Sequence, residues 1–353
     1  MNYKILVINP GSTSTKIGLY KNEKELFNEN VVHPQDEIEK FDSLISQIPM
    51  RKKHILEALK KHKINVEDLS VVMGRGGLFP PINAGGYIVN DAMIDLVMNE
   101  KIPSHASNLG AVLADGIAKE AGVNAYIYDA ESSDEFFSVA RITGMKEIVK
   151  RNLCHVLNSK AVSRWYAESV FKKYEKINLI VAHLGGGISI SAHKEGKIVD
   201  SLSDDNGPFA PERAGCIPAM DMIELCYSGK FSKKEMQKKV RGLGGLRDLL
   251  GTSDGREIAK RMENGDDEAV LVMDALAYNV SKGIAHLAPA LKGKFEAIIL
   301  TGGLANEKFL TEKIKEYSSF LGKIEVLPGE HEMQALALGG LRIVRDNEVV
   351  SRM

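Results

Sequence analysis

Cysteine is scarce in this chain of 353 residues. Only Cys154, Cys216 and Cys226 occur, an odd number with no CxxC pair. That excludes a disulfide framework and offers no zinc-ligand spacing, so a reducing, cytoplasmic setting is expected. The three read as small packing residues. Aromatic residues are only 6% of the chain, with one tryptophan, and the formal net charge is -1. Such a surface has neither the global field nor the stacking groups that nucleic acid or an anionic membrane would need, so neither partner is expected. Apolar runs are short everywhere, and Met1-Asn2-Tyr3-Lys4 leads straight into a strand. No membrane span and no signal peptide are therefore expected. Linkers, low-complexity tracts and long charge blocks are also missing.

What is present is length and pattern. A chain this long predicts two domains rather than one core. Ile5-Leu6-Val7-Ile8 is a continuous apolar run and reads as a buried strand. The loop from Asn9 to Thr15 follows, and Lys16-Ile17-Gly18-Leu19-Tyr20 alternates as a returning strand. Helical spacing covers residues from about 36 to 62, and another helix opens near Ser107. Ala125–Tyr128 is a short strand ending at Asp129, and Ser159 to Phe171 reads as a helix. Leu179-Ile180-Val181-Ala182 then repeats the opening pattern, followed by His183, Leu184, three glycines and the alternating Ile188–Ala192. Asn9 falls on His183 and Gly11 on Gly185, an offset of 174 residues. One strand–loop–strand unit in each half suggests two related domains facing a shared cleft. A third apolar strand, Ala297–Leu300, runs into Thr301-Gly302-Gly303, after a helix from Asp267 to about Leu291. A last helix spans Glu332 to about Val344.

Three loops could carry chemistry. Gly11, Ser12, Thr13, Ser14 and Thr15 combine small residues with hydroxyls, so backbone N–H groups could approach phosphate oxygens, and Lys16 adds charge. The order is wrong for a Walker A loop, because Thr15 precedes the lysine and Ile17 follows it. Gly185-Gly186-Gly187 lets backbone come close to a ligand, with His183 at its mouth as a hydrogen-bond donor to a transferring phosphoryl group. Gly302 and Gly303 would suit a flat adenosine. Arg75, inside Gly74-Arg75-Gly76-Gly77, and Arg213, before Ala214-Gly215, are candidates for gripping a carboxylate or phosphate bidentately. Asp129 and Glu332 are candidate Mg²⁺ carboxylates. Each feature alone also has a plain structural explanation as a turn, a surface arginine or a helix-start acid.

Together these segments resemble the acetate kinase family, within the superfamily of acetate and sugar kinases, heat-shock chaperones and actin. The likeness rests on Leu6–Lys16 and on Val181–Ser189, with weaker points at Arg75, His105, Asp129, Arg213, Thr301–Gly303 and Glu332. It extends over essentially the whole chain. Within that family the segments Gly74–Pro81 and Ser203–Gly215 look most like the butyrate-specific branch. Gly186 stands where acetate kinases usually carry Asn, which points the same way. The resemblance implies an α/β, duplicated ribonuclease H-like (actin-like ATPase) fold with a nucleotide cleft. Its domains would be 1–152, with 331–353 packing back on it, and 153–330. It implies that ATP/ADP and Mg²⁺ are used, with Asn9, Ser12 and Lys16 lining the phosphate and metal region. Asn9 and Glu332 would serve the metal, with Asp129 helping to organise it. Arg75, Arg213 and His183 would serve the acid and the transferring group. Gly185, Gly186 and Gly187 would border the nucleotide phosphates, and Gly302 and Gly303 the adenosine. A homodimer or larger assembly is implied. His105 is a weaker match, since Ala106 and Ser107 depart from the family pattern, and Leu78–Pro81 are candidates for the acyl pocket.

The expected activity is transfer of the ATP γ-phosphate to butyrate or a similar short-chain carboxylate. Acetate, propionate or a branched acid remain alternatives, because one methylene is worth only ~1–3 kcal/mol in such a pocket. A sugar kinase would need a catalytic aspartate beside a hydroxyl. An ATP-driven switch of the chaperone or actin kind would hydrolyse ATP with no acid present.

Overall fold

The computed structural model describes Met1–Met353, which divide into two compact units. The first comprises Met1–Asp134 with His331–Met353, and the second Glu135–Glu330. The segment 135–152 thus belongs to the second unit.

The first unit is built on strands β1 (Lys4–Pro10), β2 (Ser14–Lys21), β3 (Lys24–Val32), β4 (Val71–Arg75), β5 (Gly86–Ile88) and β6 (Ala125–Tyr128). Their order across the sheet is β3-β2-β1-β4-β6-β5. Strands β1, β2 and β3 form an antiparallel meander, while β4 and β6 join β1 in parallel. The helices are α1 (Gln35–Ile38), α2 (Ile48–Lys61), α3 (Asp91–Met98) and α4 (Leu109–Ala121). The long helix expected over 36–62 is thus two pieces: Pro49 at the start of α2 suits a helix beginning, not an interior. Strand β3 had no apolar signature, because Phe27 is its only buried residue and the strand lies at the sheet edge.

The second unit contains α5 (Val156–Ser169), β7 (Asn178–Leu184), β8 (Ile188–Lys194) and β9 (Lys197–Leu202). Helices α6 (Ala219–Tyr227), α7 (Lys233–Val240), α8 (Leu246–Leu250), α9 (Gly255–Glu263) and α10 (Asp267–Leu287) follow. Then come β10 (Ala297–Gly302), α11 (Lys308–Ser318) and β11 (Ile324–Pro328), before the chain returns to the first unit as α12 (Glu332–Asp346). Read from β9, this sheet runs β9-β8-β7-β10-β11, with an antiparallel meander on one side and two parallel strands on the other. That is the topology of β3-β2-β1-β4-β6, so the short repeat seen in sequence is a duplication of the whole sheet. The hairpins differ by one residue: 11–14 separate the last pair of β1 and β2, whereas 185–187 separate the last pair of β7 and β8.

Each central strand is buried on both faces, as expected of strands covered by helices on either side. In the first unit Leu6, Ile8, Val72 and Ile127 share a core with α2, α3 and α4. The alternate residues Ile5, Met73 and Tyr128 lie against Gly339 and Gly340 of α12. In the second, Ile180, Ala182, Ile298 and Leu300 pack with α10, while Leu179, Val181, Ala297 and Ile299 pack with α5. Two glycines make this close approach possible. A side chain on Gly74 would begin 2.2 Å from the Gly110 carbonyl oxygen, and one on Gly110 2.3 Å from that of Arg75. Backbone cannot retreat from such a contact. Gly74→Ala is therefore expected to destabilise the first unit by about 1–3 kcal/mol or more, read as a lowered melting temperature. A melting temperature equal to that of the parent would show that the strand–helix spacing is looser than this packing requires.

Candidate active site

Polar side chains have no room inside β1 or β7, where Ile5–Ile8 and Leu179–Ala182 are fully buried. They gather instead at the carboxyl ends of the strands, where α/β sheets place their ligands. In the first sheet Asn9 pairs with Lys16 on β2, and the β1–β4 register that matches Ile8 with Gly74 sets Asn9 beside Arg75. Arg75 in turn pairs with Tyr128, immediately before Asp129. Four residues picked out in the sequence thus line one edge of the sheet on four adjacent strands: Lys16 near the start of β2, Asn9 near the end of β1, Arg75 at the end of β4 and Asp129 just after β6.

The start of α12 adds Glu332. Asn9 Nδ2 donates to Glu332 Oε2 at 2.9 Å, and Arg75 Nη1 donates to the same oxygen. Arg75 Nη1 also points to Asn9 Oδ1 at 3.5 Å. The other arm of the guanidinium, Nη2, meets Glu131 Oε1 at 2.6 Å. Burial by itself would lower the Arg75 pKa, but Glu332 and Glu131 outweigh it and hold the group above its ordinary value. His105 stands at the edge of the cluster, with Nδ1 3.7 Å from Glu131 Oε2 and 2.6 Å from Ser107 Oγ. Glu131 was not found from the sequence. It lies only two residues beyond Asp129, but nothing in Ala130-Glu131-Ser132 marks it as other than a surface acid. Asp129 has a different contact: its Oδ1 accepts the Gly85 N–H at 2.9 Å, with a positive φ of 43°. The glycines around Arg75 serve packing, since a Cβ on Gly76 would strike Ala130 and one on Gly77 would strike Asn108. Phe79 belongs to the hydrophobic core of this unit, and Pro80 and Pro81 are exposed.

No group of three or more His, Cys, Asp or Glu is close enough to cage a metal ion. Two hard oxygen donors, the Asn9 amide and the Glu332 carboxylate, instead suit Mg²⁺, which keeps most of its waters and leans on substrate phosphates.

The second sheet presents different chemistry at the same edge. His183 pairs with Ser189 on β8 and with Thr301 on β10. Its Nδ1 lies 2.9 Å from Asn158 Nδ2, and that amide nitrogen also reaches Thr301 Oγ1 at 3.3 Å. With the amide so oriented, Nδ1 accepts and the ring proton sits on Nε2, the nitrogen facing the glycine turn. His155 stacks on His183 with centroids 3.9 Å apart, and its own Nδ1 is 2.8 Å from Ser189 Oγ. Arg213 completes the group. A Cβ on Gly187 would lie 2.6 Å from Arg213 Cζ, and one on Gly185 would lie 2.9 Å from His183 Nε2. A side chain at 185 or 187 would therefore have to push the His183 ring or the Arg213 guanidinium from its place beside the turn. Gly186 has no neighbour within 4 Å of where a side chain would begin. Arg213 Nη1 is 3.3 Å from Asp204 Oδ2, an oxygen that Arg241 Nε approaches to 2.5 Å. Gly302 has φ 89° and exchanges backbone hydrogen bonds with Gly329, while a Cβ there would strike the Leu184 carbonyl. Gly303 has open space beside it. His155, Asn158, Asp204 and Arg241 carried no sequence signal of their own. Of the cysteines, Cys154 is buried and its thiol is pushed up to about 12 by burial, but Cys216 and Cys226 are exposed rather than packed.

Two sheets with this repeated order, each edged by a loop and an acid- or base-bearing strand end, define the mixed α/β fold of the actin-like ATPases. The solved acetate kinase from Porphyromonas gingivalis is similar, with a TM-score of 0.81 at 20% identity over 97% of this chain and 100% of that one. So is a propionate kinase from Francisella tularensis subsp. tularensis SCHU S4, with a TM-score of 0.74 at 20% identity over 96% and 98%. A ROK family protein from Streptococcus pneumoniae TIGR4, solved with sucrose, follows the fold more distantly, at 11% identity over 98% of this chain and 100% of that one, with a TM-score of 0.53. The acetokinase family model matches residues 131–337, more than half of the chain. The chain belongs to the acetokinase family, and so to the kinases that use ATP on short-chain carboxylates. No helix is long and apolar enough to cross a membrane.

Behind the first loop lies a buried histidine with a measurable consequence. His33 Nε2 is 2.9 Å from Thr15 Oγ1, and its ring stacks 5.2 Å from that of His54. Burial, then the charge of Arg51, then His54 push the His33 imidazole from 6.5 down to about 4. As pH falls from 6.5 towards 4, the unfolded chain binds a proton that the folded one refuses. Stability is therefore full above about 6.5 and declines across that window. Denaturant titrations at pH 7.5 and 4.5 should show the parent losing on the order of 2–3 kcal/mol more than His33→Gln. Equal losses would mean that His33 takes up its proton normally in the folded state.

Proposed function

We propose that this enzyme is a butyrate kinase. With Mg²⁺ it moves the γ-phosphate of ATP directly to butyrate, giving butyryl phosphate and ADP, and in reverse it makes ATP. The observation that carries the phosphoryl-transfer reading is the Arg213 guanidinium laid over Gly187 beside the His183 ring. A cation and an N–H donor are thereby held at a turn with no side chains to obstruct an oxygen-rich group. Support for butyrate comes from the residue pattern, with Gly186 in the second turn and Gly74-Arg75-Gly76-Gly77 in the first unit. Packing does not demand glycine at 186, so the missing side chain is free to be a matter of ligand size.

A fatty acid with a carboxyl pKa near ~4–5 is already ionised at neutral pH, so no general base has to act. A carboxylate oxygen bonds to the γ-phosphorus, the bond from that phosphorus to the β-phosphate oxygen breaks, and the electron pair leaves on ADP. The difficulty is bringing two anions together, and preorganised positive charge addresses it. In this reading Ser12, Lys16 and the turn Gly185–Gly187 receive phosphates. Arg213 and His183 hold the transferring group, and Gly302 and Gly303 border adenosine. Asn9 and Glu332 would hold Mg²⁺, with Asp129 ordering the neighbouring loop; when bound, the ion neutralises phosphate charge. Arg75 receives the acid in competition with Glu131, which occupies Nη2. A homodimer or larger assembly is the state that the family resemblance implies.

The first test is acyl hydroxamate formation from ATP and Mg²⁺ with acetate, propionate, butyrate, isobutyrate or glycerol. Fastest trapping with butyrate is expected; faster trapping with acetate or propionate would reassign the acid. No hydroxamate from any acid, despite ADP release, would reject the proposal. Arg213→Ala should cost on the order of 10²-fold or more in kcat, and near-parent turnover in folded protein would remove Arg213 from the mechanism. Glu131→Gln weakens the competitor for Arg75, so the KM for the acid should fall several-fold. A KM that rises would place Glu131 among the groups that hold the acid.

A further inference from the structure

Arg51, on α2, is fully buried beneath the loop that joins β1 and β2. Its Nη1 donates to the Gly11 carbonyl at 2.9 Å, the Ser14 carbonyl at 3.0 Å and Thr15 Oγ1 at 3.0 Å. Nη2 donates to the Ser12 carbonyl at 3.0 Å and to Gln47 Oε1 at 2.9 Å, and Nε donates to the same Gln47 oxygen at 3.1 Å. Every nitrogen of the guanidinium is engaged, yet no partner is a carboxylate. A fully buried cation balanced only by dipoles is costly. The arrangement is stabilised by any anion that settles on the far side of the loop.

The peptide plane turns those bonds into a shape. Within one peptide unit the C=O and N–H point in opposite directions. Arg51 draws in the carbonyls of Gly11 and Ser12, so the N–H groups of Ser12 and Thr13 are turned away from it. Neither N–H is bonded within the protein, and both residues are exposed. Two successive outward N–H groups form an anion-receiving concavity.

We propose that Arg51 is the positioning residue of the phosphate loop: its fork fixes the outward N–H groups of Ser12 and Thr13, and its unneutralised charge favours the phosphates of ATP on them. The proposal rests on the reading that the Gly11–Thr15 loop takes those phosphates. It adds a residue that touches neither nucleotide nor acid and that no loop motif contains.

The test uses the full chain with Arg51→Lys, which keeps the charge but loses the fork, and Arg51→Ala, with and without added guanidinium ion. Gln47→Leu is the milder variant, since it leaves the loop bonds and the charge but frees the Arg51 side chain. ATP affinity is measured by calorimetry in the presence of Mg²⁺, alongside melting temperature and the KM values for ATP and butyrate. Arg51→Lys should weaken ATP binding about tenfold or more while changing the KM for the acid less than twofold. Guanidinium in the millimolar range should restore part of the ATP affinity of Arg51→Ala, and Gln47→Leu should show a smaller loss than Arg51→Lys. A folded Arg51→Lys with parental ATP affinity overturns the proposal. If the Arg51 variants do not fold, unchanged ATP affinity in Gln47→Leu overturns it. Parent protein that binds no ATP would instead reject the underlying reading of the loop, which separates the two failures.

Discussion

The central strand of each sheet is sealed on both faces by helices, and the rest of the structure depends on that. A strand in this position tolerates no unpaired polar group along its length, because desolvation without a partner costs more than the strand gains. Ile5–Ile8 and Leu179–Ala182 meet the requirement with aliphatic side chains alone. Chemistry is displaced to where each strand ends and the covering layers part. Asn9, Arg75 and Asp129 follow or end strands in one unit, and His183, Thr301 and Gly302 do so in the other.

The two units therefore share a scaffold but not a site. Duplication supplied the meander, the parallel extension and the loop after the first strand. Divergence then filled equivalent edges with different groups. The first edge holds an amide, a lysine, an arginine and three carboxylates, those of Asp129, Glu131 and Glu332. The second holds stacked imidazoles, glycine backbone and an arginine. The hairpin turn is one residue shorter in the second unit, and its glycines give Arg213 and His183 space that side chains would occupy.

Three arginines show how context sets what the same side chain does. Arg75 is held between Glu131 and Glu332, so its charge is balanced by two carboxylates. Arg213 shares the single carboxylate of Asp204 with Arg241, so two cations face one anion there. Arg51 has no acid partner, and burial pushes it down to about 10. It remains a cation at neutral pH and donates to the backbone carbonyls of Gly11, Ser12 and Ser14. Electrostatic strength in such places depends less on the charge than on what has been left to balance it.

Periodicity in the amino-acid order was enough to find β1, β2, β6, β7, β8 and β10, the helices α4, α5, α10 and α12, and the repeat, because apolar runs and alternation are local properties. The buried strand β4, the short strands β5, β9 and β11, and the helices α3, α6–α9 and α11 were not read from it. The polar edge strand β3 and the break before α2 escaped. The former is half solvated, and the latter turned on a single proline. Glycine turns and the histidine beside them were legible as loops that close buried strands. Glu131, Asn158, Asp204 and Arg51 were not, since a lone acid, amide or arginine on a helix or loop looks the same in sequence whether it faces water or a buried partner. Local order in the chain determined which residues end the strands. Only the tertiary structure decided which charges those residues meet, because hydrogen bonds and ion pairs of this kind join positions as far apart as Arg75 and Glu332, and their worth depends on how much water the surrounding packing removes.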